Sequence, residues 1–361
     1  MIESLTLTDF RNHKISRIDA RGAKNIIIIG ENGAGKTAIL EAISMLSGDK
    51  GMRGADMTDI ACFSGNGGFS VFSKTADGDS LCVYFNSGDN NRHAKINDEN
   101  ANLGDLGNML RIVWISPKED RLFVDSSADR RAFFDRLASN FDSNHSGRTA
   151  KFAKLLSERA FALKNGADSN WLNALDNQLA AVAVAIATTR VQYAGEINYF
   201  LTRFSVSVDG LIEKMIINNM TPAAAEREYR EYLYKNRELI GDKMVLDGPH
   251  KADFGMFNNE LNLPVRLTST GQQKSALFDL ILAHTNLLHT KTKHDCIVLF
   301  DEAAAHLDSK SRAKIFSDLN TNHTQVWATG LDVGSFTDIP NAVIVTCHNG
   351  EINNILYNKE G

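Results

Sequence analysis

A glycine-rich segment near the start of the chain has the residue types and the spacing that bind a triphosphate. Gly30–Thr37 reads GENGAGKT and matches the pattern G-x-x-x-x-G-K-[ST] at every fixed position. The apolar run Ile26–Ile29 before it predicts a buried parallel strand, and apolar residues at helical spacing follow it. In such a strand–loop–helix unit, backbone N–H groups and the positive helix end surround phosphate oxygens. We therefore predict a binding site for a nucleoside triphosphate.

Two residues of this segment carry most of the expected chemistry. Lys36 is expected to contact the β- and γ-phosphates, and the Thr37 hydroxyl to ligate Mg²⁺. The predicted phosphate-binding set is Gly30, Glu31, Asn32, Gly33, Ala34, Gly35, Lys36, Thr37 and Ala38.

A pair of carboxylates follows a second apolar run. Cys296–Phe300 predicts a buried strand, and Asp301 and Glu302 come directly after it. A carboxylate at the end of a strand beside the phosphate loop is what a Mg²⁺–triphosphate complex requires. We predict that Asp301 holds the metal, directly or through water, and that Glu302 polarises the attacking water as general base. With Lys36, these two residues form the predicted catalytic set.

A hydroxyl–glycine–glutamine cluster lies between the phosphate loop and the carboxylates. Residues 268–273 open a predicted helix, whose N-terminus is a second anion site. Taken alone, Ser269 would be an ordinary helix N-cap. Its position in the order of motifs favours a role at the nucleotide. From this cluster, Ser269, Gly271 and Gln272 are predicted to contact the nucleotide, and so is Asp308, which follows the carboxylate pair by six residues.

The secondary-structure pattern separates an α/β part from a helical part. Short alternating strands bounded by turn signals cover much of residues 2–117. After that, helical periodicity dominates, and one long amphipathic helix runs from Trp171 through Phe200 and Phe204. Its expected partners are helices at 126–141 and 146–164. The predicted fold class is α/β, with a head formed by residues 1–117 and 245–361 and an inserted, mainly helical lobe formed by residues 118–244.

Composition and charge narrow the class of protein. Of 361 residues, 43% are hydrophobic and 23% charged, and no apolar run is long enough for a membrane span. The N-terminus lacks a signal-peptide profile, and the four scattered cysteines indicate reduced thiols, so we expect a cytoplasmic protein with no membrane partner. A net charge of −5 argues against coating nucleic acid by bulk charge. Contacts with DNA would have to come from local patches.

The chain contains, in order, the phosphate loop, the cluster at residues 268–273, the carboxylate pair and Asp308. This order resembles that of ABC-type ATPases, in which the second motif is called the signature. The resemblance implies a P-loop ABC-type head with a mixed sheet that uses ATP and Mg²⁺. It also implies that the signature residues of one subunit close over the γ-phosphate held by its partner, so that ATP drives a homodimer.

Five further segments narrow the resemblance to the RecF family. They are 9–12 (DFRN), 48–53 (GDKGMR), 127–135 (SADRRAFFD), 248–253 (GPHKAD) and 269–274 (STGQQK). Together the matches extend from residue 3 to about 332. The resemblance implies an ATP-dependent DNA-binding recombination mediator that acts with RecO and RecR to help load RecA at single-strand gaps, within DNA repair, replication and the SOS response. It implies slow, DNA-stimulated ATP hydrolysis and contacts of Arg11 and Asn12 with the nucleotide, although both could also be exposed corner residues.

Two positions depart from the wider ABC pattern. Lys118 stands where a Q-loop glutamine is usual, and an ammonium cannot ligate Mg²⁺, which leaves Glu119 as a substitute. Thr329 stands where related heads tend to have a histidine. In those heads the histidine senses the γ-phosphate, and its replacement by Thr329 favours slow, switch-like hydrolysis.

Two other classes of protein stay open at this point. A transporter ATPase subunit usually carries both the glutamine and the histidine. A chromosome-tethering head of the SMC or Rad50 type inserts hundreds of residues of heptads between phosphate loop and signature, whereas here residues 38–268 intervene with no sustained heptad.

Several charged groups are weaker candidates for contacts with DNA or for support of the site. Arg130, Arg131 and Arg136 form a basic face, but Asp129 and Asp135 among them favour ion pairing within the helix. A second stripe, for which a solvated face is favoured, consists of Arg148, Lys151, Lys154 and Arg159. A structural role near the ATP site is favoured for His250, Lys251 and Asp253.

Overall fold

The computed structural model describes residues 1–238, 246–302, 309–320, 323–337, 339 and 341–357. The strands are β1 Ile2–Phe10, β2 His13–Asp19, β3 Asn25–Ile29, β4 Phe69–Thr75, β5 Ser80–Phe85, β6 His93–Ile96, β7 Glu99–Ala101, β8 Arg111–Ile115, β9 Phe204–Asp209, β10 Asp253–Asn258, β11 Leu263–Pro264, β12 Cys296–Phe300, β13 Thr324–Gly330, β14 Ala342–His348 and β15 Glu351–Tyr357. The α-helices are α1 Lys36–Met45, α2 Met57–Ile60, α3 Leu103–Met109, α4 Ser127–Ser139, α5 His145–Lys164, α6 Ser169–Ile197, α7 Leu211–Ile217, α8 Pro222–Lys235, α9 Thr270–Thr292 and α10 Ser309–Asn320.

The chain forms two compact units, and the first contains two sheets. This first unit consists of Met1–Asp120 and Thr285–Gly361. An antiparallel sheet has the strand order β2-β1-β4-β5-β6-β7, and a second sheet has the order β15-β14-β3-β13-β12-β8. The second sheet is parallel except for β15, which pairs antiparallel with β14. The predicted α/β class with a mixed sheet is confirmed.

The apolar runs of the sequence become the centre of the mixed sheet. Every residue of β3, β12 and β13 is buried, as expected for parallel strands whose two faces are both covered. Helix α1 contacts β1 of the antiparallel sheet and β8 and β13 of the mixed sheet. Ile39, Leu40 and Ile43 of α1 are fully buried in a core shared with both sheets. Burial of this helix therefore fixes the phosphate loop that leads into it.

The second unit, Arg121–His284, is mainly helical. Helices α5, α6 and α8 share a hydrophobic core, and β9, β10 and β11 form a small antiparallel sheet. Phe134 of α4 stacks on Phe254 of β10 with ring centroids 4.4 Å apart. The partner helices predicted for the long helix are confirmed as α4 and α5. Pro222 is the first residue of α8, after the N-cap Thr221.

Two features of the second unit differ from the sequence prediction. Helix α6 ends at Ile197, and Phe204 begins strand β9 instead of continuing the helix. The i, i+4 spacing of Phe200 and Phe204 imitates a helix, but the buried positions of β9 alternate as in a strand that pairs with β10. Residues 246–284 also belong to the second compact unit, whereas the sequence analysis placed the return to the head at residue 245.

Two arginines of α4 bind residues at the start of β10 rather than solvent. The Arg130 guanidinium donates to both carboxylate oxygens of Asp253, at 2.8 and 2.7 Å, and Arg131 donates to the Ala252 carbonyl at 2.7 Å. Asp135 accepts two hydrogen bonds from Arg190, at 2.8 and 2.7 Å. The favoured ion pairing within the helix is therefore wrong for Arg130 and Asp135. The segments 127–135 and 248–253 support each other inside one unit.

Arg159 was expected on a solvated face, and that expectation is wrong. Its side chain is only 1% exposed, and Nε donates to Asp176 at 2.6 Å. A second bond runs from Arg159 to the Leu233 carbonyl at 2.7 Å. An isolated buried guanidinium would be very costly, so the charge is retained because its partners are buried with it.

The remaining global predictions concern thiols and membranes. All four cysteines are free, and three of them are buried. Among the described residues, none of the helices combines the length and the apolar character required to cross a bilayer.

Candidate nucleotide-binding site

The phosphate loop and the carboxylate pair meet at one edge of the mixed sheet. Strands β3, β12 and β13 are parallel neighbours, with Thr329 opposite Ile28 and Ala328 opposite Phe300. Because their carboxyl ends share an edge, the residues that follow them converge there. Gly30, Asp301 and Thr329 therefore lie close together although they are distant in sequence.

The loop lies so close to neighbouring chain segments that two of its glycines cannot carry a side chain. A Cβ on Gly30 would lie 2.2 Å from the Cys347 carbonyl oxygen. A Cβ on Gly35 would lie 2.6 Å from His13 Nε2 and 2.8 Å from Asn12 Oδ1, and Gly35 has a φ of 111°. The fixed glycines of the motif thus reflect packing in addition to turn geometry.

The turn between β1 and β2 supports the loop from one side. Asn12 donates from Nδ2 to the Ala34 carbonyl at 3.2 Å. His13 is fully buried, with Nε2 3.0 Å from the Gly35 carbonyl and Nδ1 2.8 Å from Ser16 Oγ. Burial lowers the pKa of His13, and the backbone hydrogen bonds oppose that change. Asn12 and His13 hold the backbone of the loop in place.

Lys36 begins α1 and is almost completely buried. Its ammonium donates to the carbonyls of Gly30 and Glu31, at 2.7 and 2.8 Å. The N-cap Gly35 has no side chain to cap the helix, so the first N–H groups of α1 are directed at the loop. A lysine and an uncapped helix N-terminus together form an anion site.

A hydroxyl–carboxylate network lies beside Lys36. The Thr37 hydroxyl donates to Asp301 Oδ1 at 2.9 Å, and the Thr329 hydroxyl donates to the same oxygen at 3.0 Å. The Glu302 amide donates to Thr329 Oγ1 at 2.9 Å. Burial raises the pKa of Asp301, although the two hydroxyl bonds act in the opposite direction. Two adjacent oxygen donors, one a carboxylate, fit the preference of Mg²⁺.

A cavity of about 660 Å³ opens over these groups. One wall is the phosphate loop with Glu302, and the other consists of the β1–β2 turn and the segment around α2. The lining residues are Arg11, Asn12, Asn32, Gly33, Gly35, Lys36, Thr37, Ala38, Arg53, Asp59, Ala61, Cys62, Phe63, Ser64 and Glu302. Arg11 and Asn12, which were predicted to contact the nucleotide, thus line the same pocket as the phosphate loop and Glu302.

Sequence reasoning missed the acid that holds Arg11. Glu41 of α1 is 1% exposed and accepts from Arg11 Nε and NH2 at 2.8 and 2.6 Å. Arg53 lies 3.7 Å from the same carboxylate, and Arg11 also donates to the Asp59 carbonyl at 2.8 Å. The signal was present in the sequence, because a glutamate within the apolar stripe of a helix requires a buried partner.

The predicted signature cluster lies in the second unit. Ser269, Thr270 and Gly271 are exposed, and a Cβ on Gly271 would meet no atom within 4 Å. The Gln272 amide lies 3.4 Å from Ser269 Oγ, an arrangement typical of an N-cap, and the Gln272 side chain accepts from Asn258 at 3.0 Å. These residues are not among those that line the pocket. Asp308 lies outside the described residues.

The two departures from the ABC pattern have different surroundings. Glu119 is buried, and its carboxylate accepts from the Ser116 amide and hydroxyl at 2.9 and 2.6 Å. The Glu119 carboxylate, which was suggested as a substitute for the Q-loop glutamine, is thus bonded within its own turn. Thr329, by contrast, touches both predicted catalytic carboxylate residues. A hydroxyl thus stands at the centre of the network, where the resemblance led us to look for a histidine.

The fold and the pocket define the class of protein, a P-loop head of the ABC type built on a mixed sheet. The family described as RecF/RecN/SMC N terminal domain matches residues 1–354. Within it, this chain belongs to the RecF family.

Relatives and solved structures agree with this assignment. The chain is 34% identical to the DNA replication and repair protein RecF of Mesorhizobium japonicum, covering 94% of this chain and 93% of that protein. The corresponding protein of Rhizobium leguminosarum bv. trifolii is 33% identical, with coverages of 97% and 98%. A solved structure of the recombination mediator protein RecF with ATP has a TM-score of 0.82 at 22% identity, with 99% of each chain covered. The Smc head domain of Pyrococcus furiosus has a TM-score of 0.52 at 14% identity, with coverages of 99% and 96%.

Proposed function

We propose that this protein binds ATP with Mg²⁺ in the pocket above the phosphate loop. The carrying observation is the convergence of Lys36, Thr37, Asp301 and Glu302 at one end of three parallel strands. A triphosphate would replace the Gly30 and Glu31 carbonyls as the partner of the Lys36 ammonium. Thr37 and Asp301 would hold Mg²⁺, which would neutralise phosphate charge when bound. The signature residues Ser269, Gly271 and Gln272, together with Asp308, are proposed to contribute to nucleotide binding from a second copy.

The test of nucleotide binding is Lys36→Ala, with Lys74→Ala as control. Lys74 is an exposed lysine of β4 and has no part in the proposed site. Because a charge-assisted hydrogen bond is worth about 2 kcal/mol, Lys36→Ala is expected to weaken ATP binding roughly 30-fold. Equilibrium binding of a fluorescent ATP analogue measures the change. Equal affinities of the two variants would refute the assignment of this pocket.

ATP hydrolysis is proposed to be slow and to act as a switch between monomer and homodimer. The exposed signature supports this proposal, because residues that act on a nucleotide held by a partner must lie at the surface. Three exposed leucines, Leu261, Leu263 and Leu267, precede the signature in the chain and supply apolar area for an interface. Replacement of a charged or aromatic γ-phosphate sensor by Thr329 fits a low turnover.

The proposed role is that of a cytoplasmic, ATP-dependent DNA-binding mediator of recombination. The relatives are called DNA replication and repair proteins, and the solved structures are described as recombination mediators of the RecFOR pathway. By that likeness, the partners are duplex DNA and single-strand gap junctions, RecO and RecR, and RecA in gap repair and the SOS response. The functional division into a head, residues 1–117 and 245–361, and a helical lobe, residues 118–244, is part of this proposal, although the two compact units of the structure divide at residues 121 and 285.

Binding to gapped, duplex and single-stranded DNA, with and without ATP, tests this role. We expect ATP to strengthen binding to duplex or gapped DNA, and these DNAs to raise ATP turnover. Indifference to every DNA at low salt would favour a different ATPase, because electrostatic contacts are strongest there. An SMC- or Rad50-type head is the alternative, but the longest described helix has 29 residues, too short for a tethering coiled coil.

A further inference from the structure

A group of three metal-ligating side chains lies at the edge of the mixed sheet opposite the phosphate loop. Among the described residues, His289, Asp295 and His323 form one such group, with one ligand atom from each lying within 4.8 Å of the others. His289 belongs to the last turn of α9, Asp295 precedes β12, and His323 precedes β13. Since β12 and β13 run parallel, this edge is about 20 Å from Asp301 along the strands. The nucleotide site does not use it.

The backbone holds the three residues in register. The Lys293 amide donates to the His289 carbonyl at 2.9 Å, and the Cys296 amide donates to the His323 carbonyl at 3.2 Å. The His289 and His323 rings stack with centroids 4.0 Å apart and planes inclined by 10°. His323 Nδ1 lies 3.7 Å from Asp295 Oδ1. The three ligand atoms therefore lie near one another in a part of the fold that backbone hydrogen bonds hold in place.

The chemistry of the ligands selects the cation. His289 Nδ1 is buried and has no hydrogen-bond partner, which is costly unless the nitrogen has a ligand. Two imidazoles and one carboxylate suit Zn²⁺ and similar transition ions, whereas Mg²⁺ prefers oxygen ligands only. We propose that His289, Asp295 and His323 bind one Zn²⁺-type divalent cation. Its structural effect is to tie the end of α9 to the amino ends of β12 and β13.

Zinc binding by the purified full chain, measured in competition with a chromophoric chelator, tests the site. The wild type is expected to bind one Zn²⁺ per chain, with affinity lowered at least tenfold in His323→Ala and in Asp295→Asn. His348→Ala removes an exposed histidine elsewhere in the first unit and is expected to bind zinc as the wild type does. Both residues of the main variants are partly or fully exposed, so the fold is expected to persist. The same zinc affinity in the wild type and in a His289→Gln/His323→Ala double variant would overturn the proposal.

An independent observation concerns the rim of the nucleotide pocket. Phe63 lines the pocket and is fully exposed, with a relative accessibility of 105%. No other large apolar side chain among the described residues is as exposed. The chain just before Phe63 is held in place, because the Cys62 amide donates to the Asp9 carbonyl at 2.8 Å and the Arg11 amide donates to the Ile60 carbonyl at 2.7 Å. An exposed aromatic ring at the rim of a polar pocket is suited to stack on a planar ligand.

We infer that Phe63 stacks on the base of the nucleotide, an assignment that depends on the proposed ATP site. Stacking uses the π-face that every base has, so it does not by itself distinguish adenine from guanine. The ring supplies affinity for a base, while the loop supplies affinity for phosphates.

Comparison of ATP with inorganic tripolyphosphate separates the two contributions. Phe63→Ala is expected to weaken ATP binding roughly tenfold, to leave tripolyphosphate binding unchanged and to be rescued by Phe63→Trp. Equal weakening of both ligands, or no weakening of ATP, would overturn the stacking assignment. Failure of the wild type to bind either ligand would instead refute the nucleotide site itself.

Discussion

Thr329 connects the two carboxylate residues proposed for metal binding and hydrolysis. Its hydroxyl donates to Asp301 and accepts from the Glu302 amide, so one side chain fixes both. Glu302 has a φ of 55°, a left-handed conformation that is unusual for a residue with a side chain. The backbone bond to Thr329 holds this conformation at the pocket. Unlike the histidine that related heads tend to have at this position, the neutral Thr329 hydroxyl brings no charge to the γ-phosphate.

Replacing the Thr329 hydroxyl tests this connection. Thr329→Val leaves the buried Asp301 without one donor and the Glu302 amide without its acceptor, so we expect about 2 kcal/mol less stability and weaker Mg²⁺ binding. Thr329→Ser keeps the hydroxyl and is expected to restore Mg²⁺ binding. Urea unfolding and Mg²⁺ titration in the presence of ATP provide the measurements. Equal behaviour of the two variants would mean that the hydroxyl has no positioning role.

Glu302→Gln separates binding from hydrolysis. The amide keeps the shape of the side chain but cannot accept a proton, so ATP binding should persist while hydrolysis falls at least about 100-fold. Single-turnover hydrolysis measures the change, and Glu99→Gln, an exposed glutamate of β7, is the control. A normal rate in Glu302→Gln would assign the general base to another group.

At the scale of elements, Glu41 joins α1 to the β1–β2 turn. Its buried carboxylate binds Arg11 and lies near Arg53, so the helix that follows the phosphate loop also positions the opposite wall of the pocket. Arg11 has a φ of 54°, and this bidentate contact accompanies the unusual backbone. Arg11 is therefore a constrained part of the pocket and not a free corner residue.

Breaking this link should affect stability and nucleotide binding together. Glu41→Gln leaves a partly buried guanidinium without its counter-charge, and we expect a loss of about 3 kcal/mol in the free energy of unfolding. ATP affinity should fall as well, because Arg11 and the turn lose their position. Glu3→Gln, an exposed position of β1, should change neither quantity. Loss of stability with unchanged ATP affinity would show that Arg11 has no role at the nucleotide.

In the second unit, Arg130 of α4 and Arg190 of α6 form ion pairs with carboxylates of the same unit. Arg130 binds Asp253, and Arg190 binds Asp135 and lies 3.1 Å from Glu213. Burial by itself raises the pKa of Asp135, but bonds from Arg190 and His145 outweigh it and lower the pKa to about 2. Arg130, which the sequence placed on a candidate DNA-binding face, thus stabilises the unit instead.

At the scale of the whole molecule, buried histidines set a dependence of stability on pH. Burial lowers the pKa of His13, His250 and His284, and that of His284 falls to about 3 from an ordinary 6.5. In the unfolded chain these groups bind protons as the pH falls through 6.5, whereas in the folded chain they do so only at a lower pH. Their stabilising contribution is therefore complete above pH 6.5 and decreases as the pH falls below that value.

Urea unfolding between pH 7.5 and 5.5 measures this effect. His284 alone should contribute about 1 kcal/mol per pH unit below 6.5, and His284→Gln should remove that part of the slope. The pKa of Asp135 is lowered too, so its contribution is present at neutral pH and is lost only as the pH falls from about 4 toward 2. An equal slope in the wild type and in His284→Gln would contradict the burial of a neutral imidazole.

ATP-driven association is the prediction for the complete molecule. We expect Glu302→Gln to form a stable dimer in ATP, because binding without hydrolysis would leave two nucleotides between two copies. Sedimentation velocity with and without ATP is the measurement, and Gly271→Glu, which places a like charge at the proposed γ-phosphate contact, should stay monomeric. A monomer at saturating ATP in Glu302→Gln would refute the dimer.

The sequence by itself determined the parts whose information is local. The phosphate loop, the strand before Asp301, the α/β class with a mixed sheet and the helices α4 and α5 all follow from spacing within short segments. Periodicity failed where two patterns coincide, as at Phe204, where a helical interval continues into an alternating strand. Pairing between β9 and β10, which are more than 40 residues apart, decided that case.

Only the tertiary structure decided which charges meet. The links between Arg11 and Glu41, Arg130 and Asp253, and Thr329 and Asp301 join residues separated by 30, 123 and 28 positions. A charged residue in an apolar segment indicates that its side chain needs a partner of opposite charge. Many residues of the chain carry that charge, so the sequence does not tell which of them is the partner. Strand order and helix packing choose among them, because they determine which side chains share a low-dielectric space.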